Sequence, residues 1–124
     1  MLVKTLHYHR RTKLLDIHFD NGEQVSLSAE FLRVHSPSAE VQGHHQGPPK
    51  LVANKKAVAI SDIEPVGHYA VRLHFDDGHQ SGLYSFGYLA ELCNHHEQLW
   101  QTYLERLKMA NAQRDASIAI RVTP

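Results

Sequence analysis

Two short stretches of the chain are near copies of each other, and together they constrain the fold more than any other feature. Ile17-His18-Phe19-Asp20-Asn21-Gly22 returns 56 residues later as Leu73-His74-Phe75-Asp76-Asp77-Gly78, and each is followed two positions on by glutamine, Gln24 and Gln80. In both, apolar and polar residues alternate into a turn, which is the pattern of a strand with one face buried. The Asx-Gly ending supplies residues that tolerate the positive φ of a tight hairpin. The alternation extends to Leu6, Tyr8 and Leu15 before the first turn and to Val25 and Leu27 after it. Around the second turn it runs through Val71 and on to Ser81 and Leu83. Two copies are too few for a solenoid, which needs at least about three repeats. The pair therefore reads as two similar hairpins using one turn solution.

Helix signals follow each hairpin. Ser28 is placed to cap a short helix through about Val34, with Glu30 in the first turn where the helix dipole favours an anion. Ser36-Pro37 ends it, because the residue before proline is pushed out of the helical region. From Gly43 to Lys56 the composition is that of a long loop. Val58, Ile60 and Ile63 resume strand character, broken or bulged near Pro65-Val66-Gly67. Phe86, Leu89, Leu92, Cys93, His96, Trp100, Tyr103, Leu104 and Leu107 recur at three- and four-residue spacing, predicting one long amphipathic helix from Phe86 to Ala110 capped by Ser85. The expected fold is α+β: a mostly antiparallel sheet built from two hairpin-bearing strand sets, one short helix, and one long C-terminal helix covering a sheet face. One domain is expected over 1–110, with a fraying tail over 111–124.

Composition narrows the function classes. The 124 residues carry 13 Lys+Arg against 13 Asp+Glu. That balance disfavours nucleic acid as a partner, which calls for a basic excess. No apolar run approaches the ~20 residues of a membrane span, so no membrane role is expected. The single Cys93 fits a reducing compartment, hence a cytoplasmic location. Phosphate-loop, nucleophile-elbow, Cys-x-x-Cys and His-Glu-x-x-His motifs are all missing from the sequence. The 11 histidines raise metal binding or pH sensing against the plainer reading of tolerated surface residues. His18 with Asp20, and His74 with Asp76, have the spacing of partial iron triads, but an Asp at a hairpin turn is already accounted for by backbone hydrogen bonds. Adjacent His95 and His96 do not share a helix face. Cys93 falls on the apolar stripe and reads as a small hydrophobe.

Residues 32–41 (Leu-Arg-Val-His-Ser-Pro-Ser-Ala-Glu-Val) and 76–89 (Asp-Asp-Gly-His-Gln-Ser-Gly-Leu-Tyr-Ser-Phe-Gly-Tyr-Leu) resemble the N-terminal domain of γ-butyrobetaine hydroxylase, and more closely the small bacterial proteins of the DUF971 family. The resemblance covers about residues 5 to 92 and includes the segment from Val58 through Val71. In the hydroxylases this domain holds zinc with three cysteines and one histidine, ahead of a separate 2-oxoglutarate-dependent iron domain. The histidine ligand matches His79. The cysteine positions match Ser36, Ser38 and Val41, and a hydroxyl or an isopropyl group does not replace a thiolate. The resemblance thus implies a vestigial zinc site, a polar cluster of Arg33, Ser36, Ser38, Glu40, His79, Ser81 and Tyr84, and no catalytic role. An alternative rebuilds a zinc or iron site from His79 with His35, His44 or His45. Related domains are also fused to P-loop ATPases of the Mrp type that carry iron–sulfur clusters. By association, this implies an adaptor for an unidentified protein partner.

Overall fold

The computed structural model describes residues 2–38 and 50–115. The first half is a three-stranded antiparallel meander, β1 (Val3–His9), β2 (Leu14–Phe19) and β3 (Gln24–Ser28), leading into helix α1 (Ala29–Val34). The second half repeats the plan with β4 (Ile60–Val66), β5 (Ala70–Phe75), β6 (Leu83–Ser85) and helix α2 (Phe86–Asn94), followed by α3 (His96–Met109). The fold is α+β, and its strands form two separate antiparallel sheets in place of one.

The duplicated sequence has a duplicated structural cause. Gly22 and Gly78 adopt φ of 88° and 90° in the turns after β2 and β5. In each turn the glycine N–H donates to the preceding phenylalanine carbonyl at 3.1 Å. Asp20 Oδ1 then accepts from the Leu2 amide at 2.9 Å, and Asp76 Oδ1 accepts from the Ala59 amide at 3.0 Å. Each aspartate therefore ties the turn to the entry of its sheet's first strand. Both first strands are also irregular near their start, between Val3 and Thr5 and between Ile60 and Asp62. The helices match as well: Ser28 Oγ accepts from Phe31 N, and Ser85 Oγ from Tyr88 N, both at 3.0 Å.

The inner faces of both sheets meet in one core. Leu15, Ile17, Phe19 and Leu27 of the first sheet join Ile60, Val71, Leu73, Phe75 and Tyr84 of the second, sealed by Phe31 and Leu32 of α1 and Leu89 and Leu92 of α2. Period-two alternation in β2 and β5 places these residues inward, and burying each large one contributes roughly 1.5–3 kcal/mol.

One element differs from expectation. The long helix is interrupted at His95, whose φ and ψ are −114° and 16°. Asn94, His95 and His96 are mediocre helix formers, and the interruption lets α3 leave the main core for a second apolar cluster of Val34, Tyr103 and Leu107. The break expected near Pro65-Val66-Gly67 is where β4 ends, at Val66, and Gly67 at φ 64° turns the chain into β5. Pro65 pairs with Val71 inside β4, because β4 is an edge strand and a missing N–H there costs no ladder bond.

Of the long loop, residues 50–56 are described and 43–49 are not. Leu51, Val52 and Ala53 pack on the second cluster, and Tyr103 OH donates to Val52 O at 2.8 Å. Beyond α3 the chain is tied as far as Arg114. Asn54 N donates to Gln113 O and Lys56 N to Arg114 O, both at 2.8 Å. Arg114 grips Glu30 with two hydrogen bonds of 2.9 and 2.8 Å, and its guanidinium lies 4.9 Å from the Trp100 ring centre. Residues 116–124 of the expected tail fall outside the described residues.

Glu30 is only 5% exposed, so Arg114→Ala leaves a buried carboxylate without its fork. The expected loss is about 1–3 kcal/mol in urea unfolding. Arg114→Lys should recover only part of it, since an ammonium cannot donate in parallel. An unchanged midpoint for Arg114→Ala would show that the tie is cosmetic.

Candidate functional site

The end of α1 and the turn after β5 meet at a buried polar cluster. Ser36 Oγ lies 2.8 Å from His79 Nε2, and Ser38 Oγ lies 3.4 Å from the same nitrogen and 3.3 Å from Ser36 Oγ. Ser36 is fully buried, while Ser38 and His79 are each 6% exposed. These groups come together for local reasons. His35 caps α1, Ser36 N still donates to Arg33 O at 3.3 Å, and the following proline turns Ser38 back on Ser36. On the other side, the Asp77 carboxylate accepts from the His79 amide at 3.1 Å and so orients the turn.

Gly82 makes the approach possible. A β-carbon there would stand 2.4 Å from Ser36 Oγ and 3.1 Å from the Tyr84 ring. Beneath it the fully buried Tyr84 donates its hydroxyl proton to Leu32 O. Burial drives the Tyr84 hydroxyl far above the ordinary tyrosine range despite its hydrogen bond to Ser36, so it stays neutral. Tyr88 OH donates to His35 O at 2.5 Å and fixes the same segment from α2.

At the rim, Arg33 Nε and Lys55 Nζ reach Asp77 Oδ2 at 2.8 and 2.7 Å. Burial alone would raise the Asp77 carboxyl. Lys55, the His79 amide and Arg33 outweigh it and hold the group down at about 2.

Of the residues named for the polar cluster, Ser36, Ser38, His79 and Tyr84 are brought together, and Arg33 joins through Asp77. Ser81 is exposed, and Glu40 lies outside the described residues, as do Val41, His44 and His45. His35 is turned elsewhere, with Nδ1 2.9 Å from Phe31 O and its ring against Phe31 and Tyr103. Burial lowers its pKa most strongly, offset in part by the Phe31 carbonyl. Among the described residues no three of His, Cys, Asp and Glu stand so as to hold a metal.

The donors present do not fit the zinc of the resembled hydroxylases. Two neutral hydroxyls already hydrogen-bonded to one imidazole offer no thiolate, whereas a closed structural zinc site takes about four strong donors. Chemically the cluster is a staple: one imidazole bridging two serines across 43 residues of sequence.

Sequence reasoning missed Gly82 and the role of Asp77. A glycine required by close approach has no local signature, and Asp77 reads as a turn residue. It also missed a groove of about 560 Å³ beside the staple, walled by Val34, Pro37, Leu51, Leu92, Leu99 and Tyr103. Those residues come from three separated segments, so no single window of sequence displays it.

Two outcomes test the staple. Ser36→Ala removes the nearer of the two hydroxyls beside the buried His79 Nε2 and should cost about 1–3 kcal/mol. Gly82→Ala should cost less in the Ser36→Ala background than alone, by about 1 kcal/mol, because the added methyl enters the space of the lost oxygen. Strict additivity in urea unfolding would contradict the contact. A depressed carboxyl stabilises the fold above its unfolded pKa and loses that contribution as pH falls through the folded one. Wild type should therefore shed stability from about pH 4 down to about pH 2, and Asp77→Asn should lack that component of the acid titration.

The comparisons with known proteins bear on the fold and the family. Two proteins solved in solution by NMR are similar over 99% of the chain: one is 43% identical with 96% of its own length covered and a TM-score of 0.82, the other 49% identical with 93% covered and a TM-score of 0.79. A crystal structure of a protein of unknown function from Acidithiobacillus ferrooxidans, belonging to the DUF971 family, is 31% identical over 73% of this chain and 91% of its own, with a TM-score of 0.62. No curated protein matches. The sequence profile described as gamma-butyrobetaine hydroxylase-like, N-terminal, matches residues 6–90, and the chain belongs to that family.

Proposed function

We propose that the chain is a non-catalytic binding domain, an adaptor that seats an apolar segment of a protein partner in the groove between the end of α1 and helices α2 and α3. The groove carries this reading. Its volume of about 560 Å³ is in the range of real ligand sites, which are mostly apolar with a few polar groups. Its walls are mostly apolar, and Lys50, Glu91, His95 and Arg106 also line it. The staple supports the site mechanically, since Pro37 lines the groove between the two stapled serines.

The chemistry of the remaining groups favours binding over turnover. Ser36 and His79 have the separation of a nucleophile and its base, but the hydroxyl has no exposed surface and offers a substrate nowhere to sit. Burial raises the Cys93 thiol to about 11, which leaves it protonated and unreactive at neutral pH. The partner class follows from family resemblance: a larger protein bearing a metal cofactor or an iron–sulfur cluster, beside which this domain is accessory.

Site-specific photo-crosslinking in cells tests the reading. A crosslinker at Gln98, on the groove, should capture a discrete partner that one at Asp62, on the edge strand β4, does not. Thr102→Trp, which fills the groove from an exposed position, should abolish the product. Equal capture from both positions, or capture indifferent to Thr102→Trp, would refute the assignment.

A further inference from the structure

The adaptor reading leaves the histidine excess without a role, and one group of histidines is arranged in a way that calls for one. On the first sheet His7, His9 and His18 share the outward face with Asp16. His7 stands opposite Asp16 in the β1–β2 ladder, and His18 opposite Thr5, so all four side chains project from the same side. His9 Nε2 is 2.6 Å from Asp16 Oδ2, and the His7 and His9 rings are 4.5 Å apart between centres. Ser26 Oγ donates to the other oxygen, Asp16 Oδ1, at 2.6 Å and holds the carboxylate in place. The second sheet lacks this set: at the positions equivalent to His7, Asp16 and His18 it has Glu64, Arg72 and His74.

We propose that this face of β1 and β2 binds a divalent first-row transition metal ion, zinc or copper, through the imidazoles of His7, His9 and His18 and the Asp16 carboxylate. As the side chains stand, no three of these donors converge, and His9 and Asp16 are joined directly by a hydrogen bond. Inserting the ion displaces that proton and opens the His9–Asp16 pair by only about 0.7 Å, given metal–ligand bonds of about 2.0–2.1 Å. His7 and His9 are exposed and can rotate without disturbing the core. The reach of His18 has an internal precedent. Its counterpart His74 crosses to Glu64, the counterpart of His7, with Nε2 3.0 Å from Oε1. An imidazole-rich set with one carboxylate selects zinc, copper or nickel over calcium and magnesium, which prefer all-oxygen shells.

The test is a Zn²⁺ titration of the full chain without a histidine tag, followed through histidine side-chain NMR resonances. Saturation at one equivalent is expected, with shifts confined to His7, His9 and His18. Affinity should fall at least tenfold in His9→Ala and in Asp16→Asn, and stay unchanged in His68→Ala, in the exposed turn between β4 and β5. His9 is exposed and Asp16 lies half-buried on the outward face, and a cooperative urea transition in the absence of metal confirms that each variant is folded. Shifts centred on other histidines, an affinity indifferent to His9→Ala, or no saturation by millimolar Zn²⁺ would each overturn the proposal.

Discussion

Ser36 and His79 lie in different halves of the chain, and their 2.8 Å contact joins the exit of α1 to the turn that closes β5. Much of the remaining arrangement depends on it. Gly82 is bare because a side chain there would collide with Ser36 Oγ. Tyr84 and Tyr88 send their hydroxyls to the carbonyls of Leu32 and His35, the residues that lead into Ser36. Asp77 holds the His79 amide on one side and Arg33 of α1 on the other. A buried imidazole left without partners would cost more than the net worth of any one of these bonds, so the set stands or falls together. The resemblance to the hydroxylases implies a zinc ion at this place. Here hydroxyls stand where thiolates would be, and hydrogen bonds provide the link.

The fold around the staple is one plan used twice. Each half is a meander whose second strand ends in a turn with a glycine at positive φ, whose turn aspartate ties back to the entry of the first strand, and whose third strand passes through a capping serine into a helix. The halves then diverge where function can differ. α2 continues into α3, which builds one side of the groove with the segment after Lys50. The outward face of the first sheet collects histidines, while that of the second collects a Glu64–Arg72–His74 ion-pair set.

What was legible in the sequence was local. The alternation in β2 and β5, the Asx-Gly turns, and the Ser28 and Ser85 caps depend on neighbours within a few residues, and all of them lie where periodicity and turn chemistry put them. The duplication was visible too, although read as shared turn chemistry alone; the tie from Asp20 to Leu2 spans 18 residues and has no short-range signature. The helix break at His95 escaped because the apolar stripe continues across it while its packing partner changes from the main core to the Val34–Tyr103–Leu107 cluster. The joining of Ser36, Ser38 and His79 was anticipated through family resemblance and not from any pattern in the residues. The groove was beyond reach, being the product of three segments meeting in space.

The central claim is that hydrogen bonds hold the two stapled segments without a metal. Residue-resolved amide hydrogen exchange on chelator-treated protein tests it most directly. The account predicts that the amides of Ser36 and His79 remain strongly protected with no metal present, because their acceptors Arg33 O and Asp77 Oδ1 are protein groups and the cluster is closed to water. Exchange at free-loop rates, restored to protection only when zinc is added back, would contradict it.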